Sequence, residues 1–227
     1  KYVHQANMHS TMMFFTEQGR LYWTKVYELP EGNRQSKGRA LQNMINIQKG
    51  DKVCAFIHVK NLNDMEYVQN HYLIFATKNG LMKKTTLESY SRPRANGIIA
   101  LGLREDDRLI RVTLTDGNSQ MLVASYNGKV VRFPEDTVRP MGRTATGVRA
   151  IKLDEDGKDR VIGMICVEQG SKDSVLVISE KGFGKRTLLD DENGEPIYRI
   201  TNRGGKGVKT MNITDKTGNL IGLEAVN

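Results

Sequence analysis

The feature that most constrains this chain is a unit that it repeats four times. The clearest copy runs from Gln120 to Leu153. Met121 to Ser125 is largely apolar and ends at Tyr126-Asn127-Gly128. Lys129 to Phe133 follows, and Pro134 stops it, since proline has no N–H to give a sheet ladder. Asn-Gly between two such runs is the strongest short hairpin signal, because the favoured two-residue turn wants positive φ at both residues. An arginine-rich loop, Arg139 to Arg149, comes next and contains Gly142 and Gly147. An extended apolar pattern then resumes at Val148, Ala150, Ile151 and Leu153.

The other copies are Met12 to Ile45, Tyr72 to Leu103 and Ser174 to Ile213. Their hairpin glycines align as Gly19, Gly80, Gly128 and Gly182, and their loop glycines as Gly38, Gly97, Gly147 and Gly207. A further strand closes each unit: Val53 to Ile57, Leu109 to Val112, Val161 to Ile165 and Leu220 to Leu223. Asp51-Lys52, Asp107-Arg108 and Asp159-Arg160 introduce three of these strands. A period of roughly 50 to 60 residues is that of solenoids, propellers and arrays. Four short strands per unit describe a propeller blade. The expectation is one all-β domain over 1–227, with repeats at about 4–59, 60–115, 116–168 and 169–227. No true linker divides it.

No stretch of a dozen residues shows a 3.6-residue period. Leu87 to Tyr90 and Glu135 to Val138 read as single helical turns, and Asn61 to His71 as a polar connection between blades. No apolar run approaches the ~20 residues that span a bilayer. Lys1 to His9 is polar and lacks the apolar run of a signal peptide, and Lys1 to His4 reads as the end of a strand, as if the chain began inside a larger protein. Cys54 and Cys166 lie far apart in apolar strands and read as reduced, buried thiols. The four histidines, His4, His9, His58 and His71, lack metal spacing. Asp154-Glu155-Asp156-Gly157 opens like a calcium loop but lacks the later ligands. No nucleophile motif such as GxSxG occurs, so neither a catalytic nor a metal site is expected.

The net charge is +8, with 34 Lys+Arg against 26 Asp+Glu. That total is weaker than the placement of the bases, which recurs with the repeat. Just past each hairpin turn stand Arg20 and Lys25, Lys83 and Lys84, Lys129 and Arg132, and Lys185 and Arg186. The later loops hold Arg34, Lys37 and Arg39; Arg92 and Arg94; Arg139, Arg143 and Arg149; and Arg199, Arg203, Lys206 and Lys209. If rotation relates the blades, equivalent bases form a ring on one rim, which is a track for a phosphate backbone. Against this stands the ordinary use of lysine to block edge pairing. Arg203-Gly204-Gly205-Lys206-Gly207 is the densest loop; its glycines allow close approach to a phosphate and its successive N–H groups suit an anion nest. It is not a Walker A loop, for no GxxxxGK[ST] is present. Tyr22 and Trp23 alternate on a strand, so one faces the core and the other solvent; packing is the expected role, and base stacking is the alternative for the exposed ring.

Gly128 to Phe133, with Met141 to Arg149 behind it, resembles the C-terminal domain of the bacterial DNA gyrase A subunit. Lys25 to Pro30 with Lys37-Gly38-Arg39, Asn79 to Thr85, and Gly182 to Thr187 fit the same repeat. The resemblance covers nearly the whole chain. It implies a β-pinwheel of about six blades, four of them present here, with strands exchanged between neighbours. It further implies a basic rim that wraps and bends double-stranded DNA in support of ATP-dependent negative supercoiling. The partners implied are the B subunit together with the rest of the A subunit, in an A2B2 holoenzyme in the bacterial cytoplasm. Cleavage chemistry, ATP and Mg2+ then belong elsewhere, and this chain has no cofactor or turnover of its own. The family's signature box, QRRGGKG, is matched by Arg203 to Gly207 without the leading Gln and Arg, and in the last repeat rather than the first. The A subunit of topoisomerase IV shares the repeat and is an alternative, as is a propeller that binds proteins rather than DNA.

Overall fold

A computed structural model of the chain describes residues 5–226; the strand end read at Lys1 to His4 lies outside them. The first repeat forms β1 (Thr11–Thr16), β2 (Arg20–Lys25) and β3 (Val53–Val59). The second forms β4 (Tyr72–Thr77), β5 (Leu81–Thr86), β6 (Ile98–Ile99) and β7 (Leu109–Thr115). The third forms β8 (Ser119–Ser125), β9 (Lys129–Pro134), β10 (Val148–Arg149) and β11 (Val161–Glu168). The fourth forms β12 (Ser174–Ser179), β13 (Gly184–Leu188), β14 (Val208–Lys209) and β15 (Leu220–Val226).

The sheets do not follow the repeats. Their strand orders are β3-β1-β2-β6, β7-β4-β5-β10, β11-β8-β9-β14 and β15-β12-β13. Each repeat from the second onward gives a two-residue strand to the blade before it, so this is the strand-exchanged propeller expected. The fourth blade has three strands rather than four. The glycine before each donated strand makes the exchange possible. Gly97, Gly147 and Gly207 have φ of +64°, +97° and +74°. A Cβ at these positions would run into the carbonyl oxygens of Leu21, Met82 and Val130 in the receiving blade. Only glycine combines that backbone with that approach.

The hairpin turns differ from the expected type. Among described non-glycine residues only Asp106 has positive φ, so Asn127 does not. The loops are three residues long: Gly128 N–H donates to Ser125 O, and Gly19, Gly80 and Gly182 bond to Thr16, Thr77 and Ser179 in the same way. This is a type I turn closed by a left-handed glycine, the alternative that a strand pair adopts when three residues connect it. Asp51, Asp107 and Asp159 hold these turns. Their Oδ1 atoms accept from the N–H of Gln18, Asn79 and Asn127 at 3.1, 2.9 and 3.0 Å.

The connection at Asn61 to His71 contains a helix the sequence did not suggest, α1 (Met65–Asn70), with Asp64 accepting from Tyr67 N–H at its start. It buries only Val68, so it leaves no apolar stripe to detect. The turns at Leu87–Tyr90 and Glu135–Thr137 are present as 3₁₀ segments.

The core lies between blades rather than within one. Phe15 and Leu21 pack with Phe75, Leu87 and Tyr90 at the first junction. Ile74 and Met82 pack with Val123, Phe133 and Met164 at the second. Leu122 and Ile165 pack with Val175, Val177 and Leu223 at the third. Alternating side chains thus make both faces of a middle blade apolar, as a strand buried on both sides requires. Backbone hydrogen bonds recur at each junction. Leu109, Val161 and Leu220 N–H donate to Glu17, Lys78 and Tyr126 O, and Ala100, Ala150 and Thr210 N–H donate to Gly19, Gly80 and Gly128 O.

Candidate nucleic-acid interface

The bases singled out by the repeat divide into two groups. Lys83, Lys84 and Arg132 are buried, with 0%, 4% and 4% of their surface exposed, and so are not on the rim where the sequence pattern put them. They hold junctions together. Lys84 Nζ lies 2.8 Å from Glu135 Oε1 of the following repeat, whose carboxylate also accepts from Thr115 Oγ1 and Ser119 N–H. Arg132 donates to Gln120 Oε1, Leu189 O, Asp190 Oδ1 and Tyr198 O. Trp23, at the same repeat position, donates its Nε1–H to Tyr90 O, and it is Tyr22 that is buried. One position past the turn thus latches each blade to the next. The sequence signal was there, in bases at one repeat position; what it lacked was the acid across the junction.

Lys83 is the most enclosed of the three. Its Nζ donates to Tyr90 Oη, Ala100 O and Arg143 O at 3.2, 2.5 and 2.5 Å, and it sits 4.7 Å from the centre of the Phe75 ring. Burial, with the nearby Arg143 guanidinium acting in the same direction, pulls its pKa from 10.5 down to about 7.

The second group is solvent-facing. Arg34, Lys37, Arg39, Arg92, Arg94, Arg139, Arg149, Lys185, Arg186, Lys206 and Lys209 are exposed, while Arg20, Lys25, Lys129, Arg143 and Arg203 are half-buried. Arg149 and Lys209 stand on the donated strands at the outer sheet edges, opposite Leu81 and Lys129. The neighbouring loops are joined to one another. Gly102 N–H donates to Ala145 O, Gly204 N–H to Ala150 O, and Lys152 N–H to Gly205 O. The loops that carry Arg92 and Arg94, then Arg139 and Arg149, then Lys206 and Lys209, therefore form a connected edge. Lys129 is taken up by Asp154 at 2.5 Å, whereas Lys209 beside it makes no ion pair among the described residues.

In the glycine-rich loop, Gly204 and Gly207 have φ of +82° and +74°. Gly204 N–H is already used by Ala150 O, so it is not free for an anion. Arg203 is also occupied: Nε donates to Thr137 O at 3.1 Å and Nη1 to Arg149 O at 3.3 Å. It seats the loop against the preceding repeat and leaves Lys206 as the exposed base.

Cys54 and Cys166 are free thiols, and burial pushes the pKa of each up to about 12. Asp154 and Asp156 accept from the Asn127 amide, so those carboxylates brace a turn. Among the described residues no cluster of His, Cys, Asp or Glu could hold a metal ion, and no helix is long and apolar enough to cross a membrane.

The sequence matches the family described as the DNA gyrase C-terminal domain, beta-propeller, over residues 10–60, 71–116, 120–168 and 173–227. It is 44% identical over 218 residues to the DNA gyrase A subunit of Staphylococcus aureus (strain NCTC 8325 / PS 47). That match covers 96% of this chain and 23% of the relative, so the chain spans under a quarter of that protein's length. The C-terminal domain of DNA topoisomerase IV superposes with a TM-score of 0.82 at 25% identity, over 97% of this chain and 64% of that one. The DNA gyrase A C-terminal domain superposes with a TM-score of 0.74 at 21% identity, over 98% and 67%, a likeness of fold alone.

Proposed function

Because the chain belongs to the DNA gyrase C-terminal domain family, we propose that it binds double-stranded DNA along its outer edge and bends the duplex around that edge. The observation that carries this reading is the joined series of loops on the outer edge, with exposed bases in each of three successive repeats that make no ion pair among the described residues. Cations at repeated spacing suit a phosphate backbone and carry no sequence code. Bending a 20–30 bp site costs on the order of 1–6 kcal/mol, so several spaced contacts must act together to offset it. Within a longer gyrase A subunit, paired with a B subunit in an A2B2 assembly in the cytoplasm, the bend would present a DNA crossing for negative supercoiling. Cleavage, ATP and Mg2+ would act outside this chain, which would have no turnover alone. The 44% identity to a gyrase A subunit favours gyrase over topoisomerase IV.

End-to-end energy transfer on a duplex of about 150 bp, near one persistence length, tests the reading. Approach of the ends that fades as salt rises is the expected result. Binding without approach would leave a passive surface. An absence of binding at low salt would sink the DNA reading and favour a propeller that binds proteins.

A further inference from the structure

Lys83 and Arg143 are two cations set together at the junction of the second and third blades, and no acid is among the groups that act on Lys83. Nζ of Lys83 is met by Phe75 of β4, Tyr90 of the turn at 87–90, Ala100 just after β6 and Arg143 of the loop before β10. Of these, Tyr90 and Arg143 are the titratable groups, and burial raises the Tyr90 phenol so that it stays neutral. The other charged side chains on these segments, Glu88, Arg92, Arg94, Arg139 and Arg149, are exposed. On β5 itself the next residue, Lys84, is paired with Glu135, and successive side chains of a strand point to opposite faces.

The acceptors around Nζ fit the charged form. An ammonium has three N–H donors, and Tyr90 Oη, Ala100 O and Arg143 O are three acceptors. A neutral amine has two donors and leaves one acceptor unmet. Burial and the Arg143 guanidinium oppose the charge. Arg143 is ill-served in its turn. It makes no ion pair among the described residues, and its Nε is buried without a hydrogen-bond partner, which is costly for a donor. Its backbone, by contrast, is fixed. Met141 N–H donates to Lys84 O, Lys83 Nζ to Arg143 O, and Gly102 N–H to Ala145 O. The side chain can therefore turn while the loop stays seated.

We infer that the two side chains couple DNA binding to a proton: when a duplex phosphate draws the Arg143 guanidinium outward, Lys83 takes up a proton from solvent. This rests on the DNA-binding reading given above. Arg143 touches the phosphate, and Lys83 is a positioning residue that holds the loop behind it. Both changes act in one direction. Withdrawal of the guanidinium removes a like charge from Nζ, and the phosphate adds an opposite one, so each favours the ammonium. The DNA-bound edge then keeps Lys83 charged at pH values where the free protein holds it as the amine. By linkage, affinity falls as pH rises above about 7, by up to about tenfold per pH unit for a single proton. Below that pH both forms are protonated, and this group adds no further dependence.

Titration calorimetry with the duplex of about 150 bp, near pH 8 in buffers of different ionisation heat, counts the protons taken up at saturation. The native chain should take up a fraction of a proton approaching one per chain. Lys83→Met should lose most of that uptake. Arg143→Gln, at a half-buried position, should bind less tightly and lose most of it as well, and it decides the matter if Lys83→Met does not fold. Arg139→Ala, at an exposed base of the same loop, should keep it. Salt-sensitive DNA binding without proton uptake overturns the inference and leaves the DNA-binding reading standing, whereas an absence of binding at low salt removes both. Uptake that persists in Arg143→Gln also overturns the inference, because the proton would then go elsewhere.

Discussion

Lys84 and Arg139 are both bases of the second and third repeats, and they live under opposite physics. Lys84 is sealed in a junction against Glu135; Arg139 is exposed on the outer edge. A buried charge must be paired because desolvation is costly, whereas an exposed one is available to a partner and is screened by salt. The same residue type therefore serves cohesion inside the propeller and stays open to solvent, and to a partner, outside it. Burial under the following blade, not charge, decides which: Lys185 and Arg186, at the same places in the last repeat, are exposed.

The sharpest way to break this contrast is to remove a junction base. Lys84→Ala leaves the Glu135 carboxylate buried with only Thr115 and Ser119 as partners. Loss of one member of a buried pair costs about 3–5 kcal/mol, to be read from urea unfolding. The salt dependence of DNA binding by the folded fraction should not change. If the slope falls instead, Lys84 reaches DNA and the division into two groups fails.

Lys83 offers a pH test of the same division. Its pKa in the fold, about 7, lies below the ordinary 10.5. Between these values the unfolded chain holds the proton and the folded chain does not, so stability rises with pH, by up to about 1.4 kcal/mol per pH unit. Below pH 7 both states are protonated and the dependence from this group ends. Denaturation series from pH 7 to 10 should show the rise, and Lys83→Met should flatten it. A flat profile for the native sequence would mean that the three acceptors around Nζ hold the charge despite burial.

On the rim the effect is smaller and of another kind. Arg139→Ala combined with Arg149→Ala should lower the slope of log affinity against log salt by about 0.9 for each phosphate no longer neutralised. Stability should move by no more than about 0.5 kcal/mol, as for exposed substitutions away from special features. A slope equal to that of the native chain would remove these arginines from the interface.

The fold was legible because the repeat is written in residues whose physics is local: the hairpin glycines, the loop glycines and the apolar alternation between them. Its strand exchange was not, since Val148-Arg149 or Val208-Lys209 is too short to say which blade it joins; the family resemblance supplied that. The turn type was misread at Asn127 because a dipeptide does not reveal whether two or three residues close a hairpin. Helix α1 was missed because it buries one side chain. At the site, the recurrence of bases was visible, but burial was not. Lys84 and Lys206 look alike in a string, and only the position of Glu135, about 50 residues on from Lys84, separates them.

Arg203 and Lys206 carry the contrast into a single loop, and here the expected effects are smallest and most telling. Arg203 is spent on Thr137 O and Arg149 O, while Lys206 is exposed and makes no ion pair among the described residues. Arg203→Ala should cost about 1–2 kcal/mol, the net worth of two hydrogen bonds to backbone oxygens. It should weaken DNA binding only through a looser loop. Lys206→Ala should leave unfolding unchanged and lower the salt slope by about 0.9. Measured side by side, the two variants ask whether the loop binds DNA by its guanidinium or merely stands on it. If Arg203→Ala instead lowers the salt slope at constant stability, the guanidinium leaves its backbone partners for phosphate when DNA arrives, and cohesion and recognition are then alternative states of one side chain.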